Sequence, residues 1–172
     1  LMNANFNEAG VGGMSFKEAD LSRASFSKTK LTNVNFEAAN LGKTDFRGAF
    51  LIRSNFRNAK LEGGDFRKAS FLKMGLDYAS FKNADLRGAD FRLTNFEGVD
   101  FKGANLKSAN LYGASLKGVS FSDANLGSAN LRKTDFTCEQ VKESLHNEQT
   151  RFPLSIRVSR GPKGVILCQE TN

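Results

Sequence analysis

The side chains best suited to nucleophilic, redox or metal chemistry in this chain are Cys138, His146 and Cys168. Together they make a poor ligand set for a metal, because tetrahedral sites draw on four well-spaced Cys or His ligands. The two thiols could pair in an oxidising compartment or stay free in the cytosol, and their spacing does not decide between these. With a single histidine, no nucleophile–base–orienter constellation is available. Glycines fall at turn positions rather than in a GxGxxG run, so no phosphate loop and no cofactor site is expected. These features point away from catalysis, and the chain reads as a non-enzyme.

Two columns of charged and apolar residues could instead bind a partner, and what would position them is an internal repeat. In "ANLKSANLYGASLKGVSF" (104–121), Leu106, Leu111, Leu116 and Phe121 recur every five residues, matching neither helix nor strand periodicity. From Leu1 to Phe136 every fifth residue is Leu or Phe except Val11: 13 Leu, 14 Phe and one Val at 28 in-phase positions. Two places before each later centre stands alanine in 16 of 27 cases, and Thr, Val, Met, Ser or Gly in the rest. The place immediately before holds Asp or Asn 16 times and Ser six times. Two places after the centre stands Gly eight times and Asn four. Large and small residues two apart share a face of an extended segment and point inward together. Gly and Asn suit a corner with φ > 0, and Asp, Asn and Ser brace the bend by bonding nearby backbone. Leu1 is already in phase, so the chain reads as a trimmed or processed form.

The motifs "ADLRGADF" (84–91) and "ANLKSANL" (104–111) resemble the pentapeptide-repeat family, summarised A(D/N)LXX, over Leu1 to about Thr137. The resemblance implies an all-β fold, a right-handed quadrilateral parallel β-helix. Four five-residue sides would give 20 residues per coil and about seven coils, about 33 Å of stack at about 4.8 Å per strand. Residues 1–137 would form the β-helix and 138–172 a C-terminal capping segment.

A 20-residue coil stacks residues 20 apart on one wall. One column runs Asn7, Ser27, Arg47, Arg67, Arg87, Lys107, with Asp45, Asp65 and Asp85 placed to screen the arginines. It reads as a solvated ladder or as an anion-binding stripe. A second column, Lys17, Glu37, Arg57, Asp77, Glu97, Lys117, mostly alternates in sign and reads as structural. A third wall gathers Phe50, Ile52, Leu72, Leu93 and Tyr112; elsewhere only Met2 and Tyr78 are large, apolar and outward. This face would be covered by the chain's own tail, or would contact a partner protein or a second copy.

After Phe136 the five-residue phase is expected to stop. "TCEQVKESLHNE" (137–148) predicts a short helix capped by Thr137 with Gln140, its Val141 and Leu145 facing the open end. "TRFPLSIRVSRGPKGVILCQE" predicts two strands around Gly161-Pro162-Lys163-Gly164. A Cys138–Cys168 bridge would staple this lid to the last coil. His146 reads as a surface helix residue.

The family's best-known activity is mimicry of DNA by acidic rods that bind gyrase and lower quinolone sensitivity. Such mimicry needs a negative surface. The chain carries 25 Lys/Arg against 18 Asp/Glu, net +7, so that reading is disfavoured. A basic rod could bind nucleic acid or an anionic surface through Arg47, Arg67, Arg87 and Lys107, although exposed aromatics for base stacking are few. The favoured expectation is a structural or protein-interaction module. No run approaches the ~20 apolar residues of a membrane span. The resemblance also implies a lean towards the thylakoid lumen or a cyanobacterial compartment, with the cytoplasm the alternative.

Overall fold

The computed structural model describes residues 1–71, 74, 76–161 and 165–171. Its dominant feature is parallel pairing at a constant offset of 20 residues, from Asn5↔Ser25 through Asn110↔Asn130 to Asn125↔Leu145. Each 20-residue step is called a tier below. Three tiers lengthen their pairing into true strands: β1 (Gly10–Gly12), β2 (Lys30–Thr32) and β3 (Phe50–Ile52), in parallel order β1-β2-β3. In most pentapeptides the centre's N–H donates to the tier above, as in Phe26 N to Asp45 O at 2.7 Å. The residue before it donates to the tier below, as in Ser25 N to Ala4 O at 2.8 Å.

The centres fill the axis. Phenylalanine rings stack between tiers, as in Phe26–Phe46 at 4.8 Å and Phe71–Phe91 at 4.6 Å, and meet neighbours edge-to-face within a tier. Alanines at the small positions, such as Ala39, Ala69 and Ala104, are fully buried beside them. Where Thr replaces Ala, its hydroxyl must find a partner, and it donates to a nearby centre carbonyl: Thr29 to Phe6 O at 2.7 Å, Thr94 to Phe71 O at 2.9 Å.

The corners follow the same rule throughout. Every positive φ among the described residues falls two places after a centre, whether glycine (Gly48, φ 63°) or not (Ala38, φ 54°). Asx side chains brace these corners, as in Asn35 Oδ1 accepting from Glu37 N at 3.0 Å. No Val, Ile or Thr occupies a corner position, which fits the high cost of a β-branched residue in left-handed backbone. Ala38 is exposed, so its methyl adds strain without packing. Ala38→Gly is therefore expected to raise stability by up to ~1 kcal/mol and Ala38→Val to lower it by ~1 kcal/mol or more, read by urea denaturation. Equal midpoints for the two variants would remove corner strain as an explanation of the pattern.

The tail departs from the sequence-based expectation in instructive ways. Helix α1 spans Cys138–Glu143, shorter than 137–148, with the Thr137–Gln140 capping box formed. Val141 is fully buried, but Leu145 lies beyond the helix and is 62% exposed. The reason is register: Leu145 pairs with Asn125 and takes the outward slot that Asn and Asp hold in the repeats. The pentapeptide phase does not stop at Phe136. Val141 and His146 keep it, and Ser144-Leu145-His146 occupies the small, outward and centre slots above Ala124-Asn125-Leu126. One residue is then inserted. Asn130 pairs with Arg151, 21 residues on, and Thr150-Arg151-Phe152 fills the next three slots.

Beyond this, β4 (Ile156–Arg160) and β5 (Ile166–Glu170) form an antiparallel hairpin with Val158 opposite Cys168. Residues 162–164 of the expected turn lie outside the described residues. Cys138 and Cys168 are joined by a disulfide, Cα–Cα 5.5 Å, which ties β5 to α1. The described part of the tail thus lies over the end of the stack.

Candidate functional site

The apolar wall is set by β3 and by the corners above it. On β3, Leu51 points inward, so Phe50 and Ile52 on either side must point outward, 58% and 41% exposed. Leu93, at a left-handed corner with φ 58°, is 53% exposed. It lies close over Gly113, where an added Cβ would meet its Cδ2 at 2.8 Å. Tyr112 is half-covered, with Lys133 Nζ 5.3 Å from its ring centroid. Leu72, the tier between, lies outside the described residues. Phe50 and Ile52 therefore form the firm centre of the wall, Leu93 and Tyr112 its upper part. Among the described residues the tail pairs instead with residues 125 and 130, on the last tier.

The arginine column is already occupied by its own carboxylates. Arg47 donates from Nε and Nη2 to the two oxygens of Asp45 at 2.9 and 2.6 Å. Arg67 and Asp65 repeat the pair, as do Arg87 and Asp85, with Nη2–Oδ2 at 2.6 Å in both. Longer contacts cross to the next tier, Arg47 Nε to Asp65 at 3.8 Å and Arg67 Nε to Asp85 at 3.7 Å. The bond from Arg47 holds the Asp45 carboxyl below its usual range, and Arg87 does the same for Asp85. An Asp two places before an Arg meets it side-on because its Oδ1 also accepts from the Arg backbone N–H, as Asp45 does from Arg47 at 3.0 Å. Arg92 and Asp90 form one further such pair, Nη2–Oδ2 2.7 Å, on the apolar wall. Of the four column cations, only Lys107 has no ion pair among the described residues; Asn105 stands where its Asp would be. The second column pairs as its signs demand, Lys17 with Glu37 at 3.0 Å and Arg57 with Asp77 at 3.7 Å.

At the end of the stack two residues take roles beyond those their sequence context predicts. Gln140 is buried, and its Nε2 donates to the carbonyls of Leu116 and Val119 at 3.0 and 2.9 Å. These acceptors would otherwise be orphaned at the last tier. His146 sits in a centre slot rather than on a helix surface, its ring edge-on to Phe152 at 5.3 Å. The unbroken five-residue phase through 141 and 146 was the signal that could have found it. Cys138, His146 and Cys168 do not converge on a metal: the thiols are bonded to each other, and among the described residues no group of three or more His, Cys, Asp or Glu could hold an ion.

The family profile described as pentapeptide repeat region matches residues 1–74 and 51–131. Among solved structures, a trypsin-treated form of QnrB1, a plasmid-mediated fluoroquinolone resistance protein, aligns with a TM-score of 0.58 at 20% identity, covering 86% of this chain and 79% of that one. Rfr23, a pentapeptide repeat protein from the cyanobacterium Cyanothece 51142, aligns at 0.44 with 18% identity over 88% and 89%. A pentapeptide repeat protein from the Arabidopsis thaliana thylakoid lumen aligns at 0.27 with 26% identity over 78% and 73%. No curated protein sequence matches the chain. At these identities the QnrB1 likeness bears on fold alone.

Proposed function

The chain belongs to the pentapeptide-repeat family, and from that premise we propose that it is a non-catalytic structural and protein-interaction rod. Each tier is read as one four-sided, right-handed coil, with about seven coils over residues 1–137 and a capping unit over 138–172. The constant 20-residue offset, four five-residue steps, supports that shape. The contact surface is the wall of Phe50, Ile52, Leu93 and Tyr112, facing a partner protein. The observation that carries the reading is the exposure of Phe50 and Ile52, side by side on the regular strand β3.

Two other readings have less support. Each arginine of the Arg47–Arg67–Arg87 ladder is neutralised by its own aspartate, which leaves little cationic surface for nucleic acid. A DNA-mimicking role, as for family members that bind gyrase, conflicts with the net charge of +7. The disulfide favours an oxidising compartment, for which the thylakoid lumen or a cyanobacterial equivalent is the proposed example. Among the described residues no helix is long and apolar enough to cross a membrane.

The test compares the intact chain with Phe50→Ser/Tyr112→Ser. Both positions face outward, so the double variant is expected to keep its stability within ~0.5 kcal/mol per site. It is expected to lose partner capture and any self-association seen by light scattering. Unchanged capture and unchanged mass would remove this wall from consideration.

A further inference from the structure

We propose that protonation of His146 undocks the β4–β5 hairpin, making the tail an acid-released lid on the end of the stack. The imidazole occupies a centre slot, above a tier where Leu126 fills the corresponding position. Its Nδ1 and Nε2 are both shielded from solvent and neither has a hydrogen-bond partner. A neutral ring leaves one donor and one acceptor unmet in this slot. An imidazolium would leave two donors and a full charge unmet, a far larger penalty. The native contacts therefore tolerate the ring only without its second proton.

The surroundings determine which way the structure gives. Beneath the ring is the closed axis of the repeats. Beside it is a half-open cleft of about 260 Å³ between residues 146–152 and the hairpin, lined by Glu148, Phe152, Val158, Arg160 and Ile166. The charged residues on this cleft are Glu148 from the ring's own segment and Arg160 from β4; β5 contributes only Ile166, and the slots beneath hold Leu126 and Leu131. A positive ring thus repels the hairpin through Arg160 and is attracted to Glu148, which stays with the stack. Hydration comes most readily by moving the hairpin, whose apolar contacts are few: Ile156 is buried, while Val158 and Ile166 are only half-buried. The Cys138–Cys168 bond keeps the released hairpin tethered, so the motion is reversible.

Burial holds the His146 pKa below its ordinary value; the Ser144 backbone, too poorly placed for a formed hydrogen bond to the ring, opposes it only in part, and Arg160 pushes it further down. The docked form therefore binds fewer protons than the released form at acid pH. Docking is constant above about pH 7 and weakens as pH falls below about 6.5, by up to about tenfold per pH unit.

His146 is the only histidine, so its ring resonances can be followed without ambiguity in the oxidised full-length chain. Amide exchange of Arg157 and Gln169, a hydrogen-bonded pair of the hairpin ladder, is measured in parallel from pH 7.5 to 5, corrected for intrinsic rates. Expected is a loss of hairpin protection of up to about tenfold per pH unit below 6.5, while Leu86 and Phe91 stay unchanged. In His146→Leu, which restores the usual occupant of the slot, protection should not depend on pH. The idea is overturned by a pH-independent wild-type hairpin, by the same loss in His146→Leu, or by a wild-type ring that takes up its second proton while the hairpin stays protected. If the variant's hairpin is loose at every pH, the wild-type chain still decides: a ring that titrates in its ordinary range with hairpin protection unchanged overturns the idea.

Discussion

Replacing Phe91 by alanine is expected to destabilise the protein by about 3–5 kcal/mol, the range for emptying a large aromatic from a closed core. Phe91 is fully buried at the middle of the ring stack, 4.6 Å from Phe71 below it. It also meets Phe96 edge-on at 5.2 Å and Phe101 at 6.1 Å. Each such pair adds ~0.5–1.5 kcal/mol beyond area burial, so one truncation removes several favourable terms at once. Collapse cannot fill the gap, because the tiers above and below are fixed by backbone bonds at constant offset, as in Phe91 N to Asn110 O at 2.8 Å. In a stacked array the loss also weakens the interface on both sides of the tier. The expected fall in melting temperature is about 6–20 °C for a chain of this size. Phe50→Ala is the control: the same residue type, pointing outward, expected within ~0.5 kcal/mol of wild type. Comparable losses at the two positions would contradict the inward–outward sorting on which the description of the walls rests.

That sorting was legible in the sequence because it depends on a strict period. A phase of five with small residues two before each centre needs no tertiary information, and the burial of Leu86, Phe91 and Ala89 follows from position alone. The corner rule was legible too, since Gly and Asn marked where φ turns positive. The Arg–Asp pairs were half-legible: Asp45 stands two before Arg47, but only the folded corner brings both carboxylate oxygens onto the guanidinium. The tail was misread where composition changed while register persisted. Val141 lies in phase on a helix, His146 in phase but polar, and Phe152 one residue out of phase. A periodic reading that expects Leu or Phe at every centre stops at such a site. Gln140 illustrates what no period encodes: its amide serves Leu116 and Val119 carbonyls more than 20 residues away, and the need arises only because the stack ends there.

Reducing the Cys138–Cys168 bond, or replacing Cys138 by serine, is expected to loosen the tail by about 3–4 kcal/mol, from the loop-closure entropy of a 30-residue separation. The effect should be confined to one end. The repeats hold themselves by pairing that starts at Asn5 and continues unaided to Asn130, whereas β4 and β5 pair only with each other and lie against the stack through few apolar side chains. Amide exchange in the oxidised and reduced protein separates the two regions. Hairpin amides should lose protection on reduction while the Ala69, Leu86 and Phe91 amides keep theirs. A uniform loss along the chain would mean that the end cap, not the repeated pairing, holds the stack together. If the loss is confined as expected, the bond stabilises the cover over the last tier and leaves the walls untouched. The exposed side chains of β3 would then be presented identically in oxidising and reducing surroundings, so that the proposed partner contact through Phe50 and Ile52 would not depend on closure of the end by the tail.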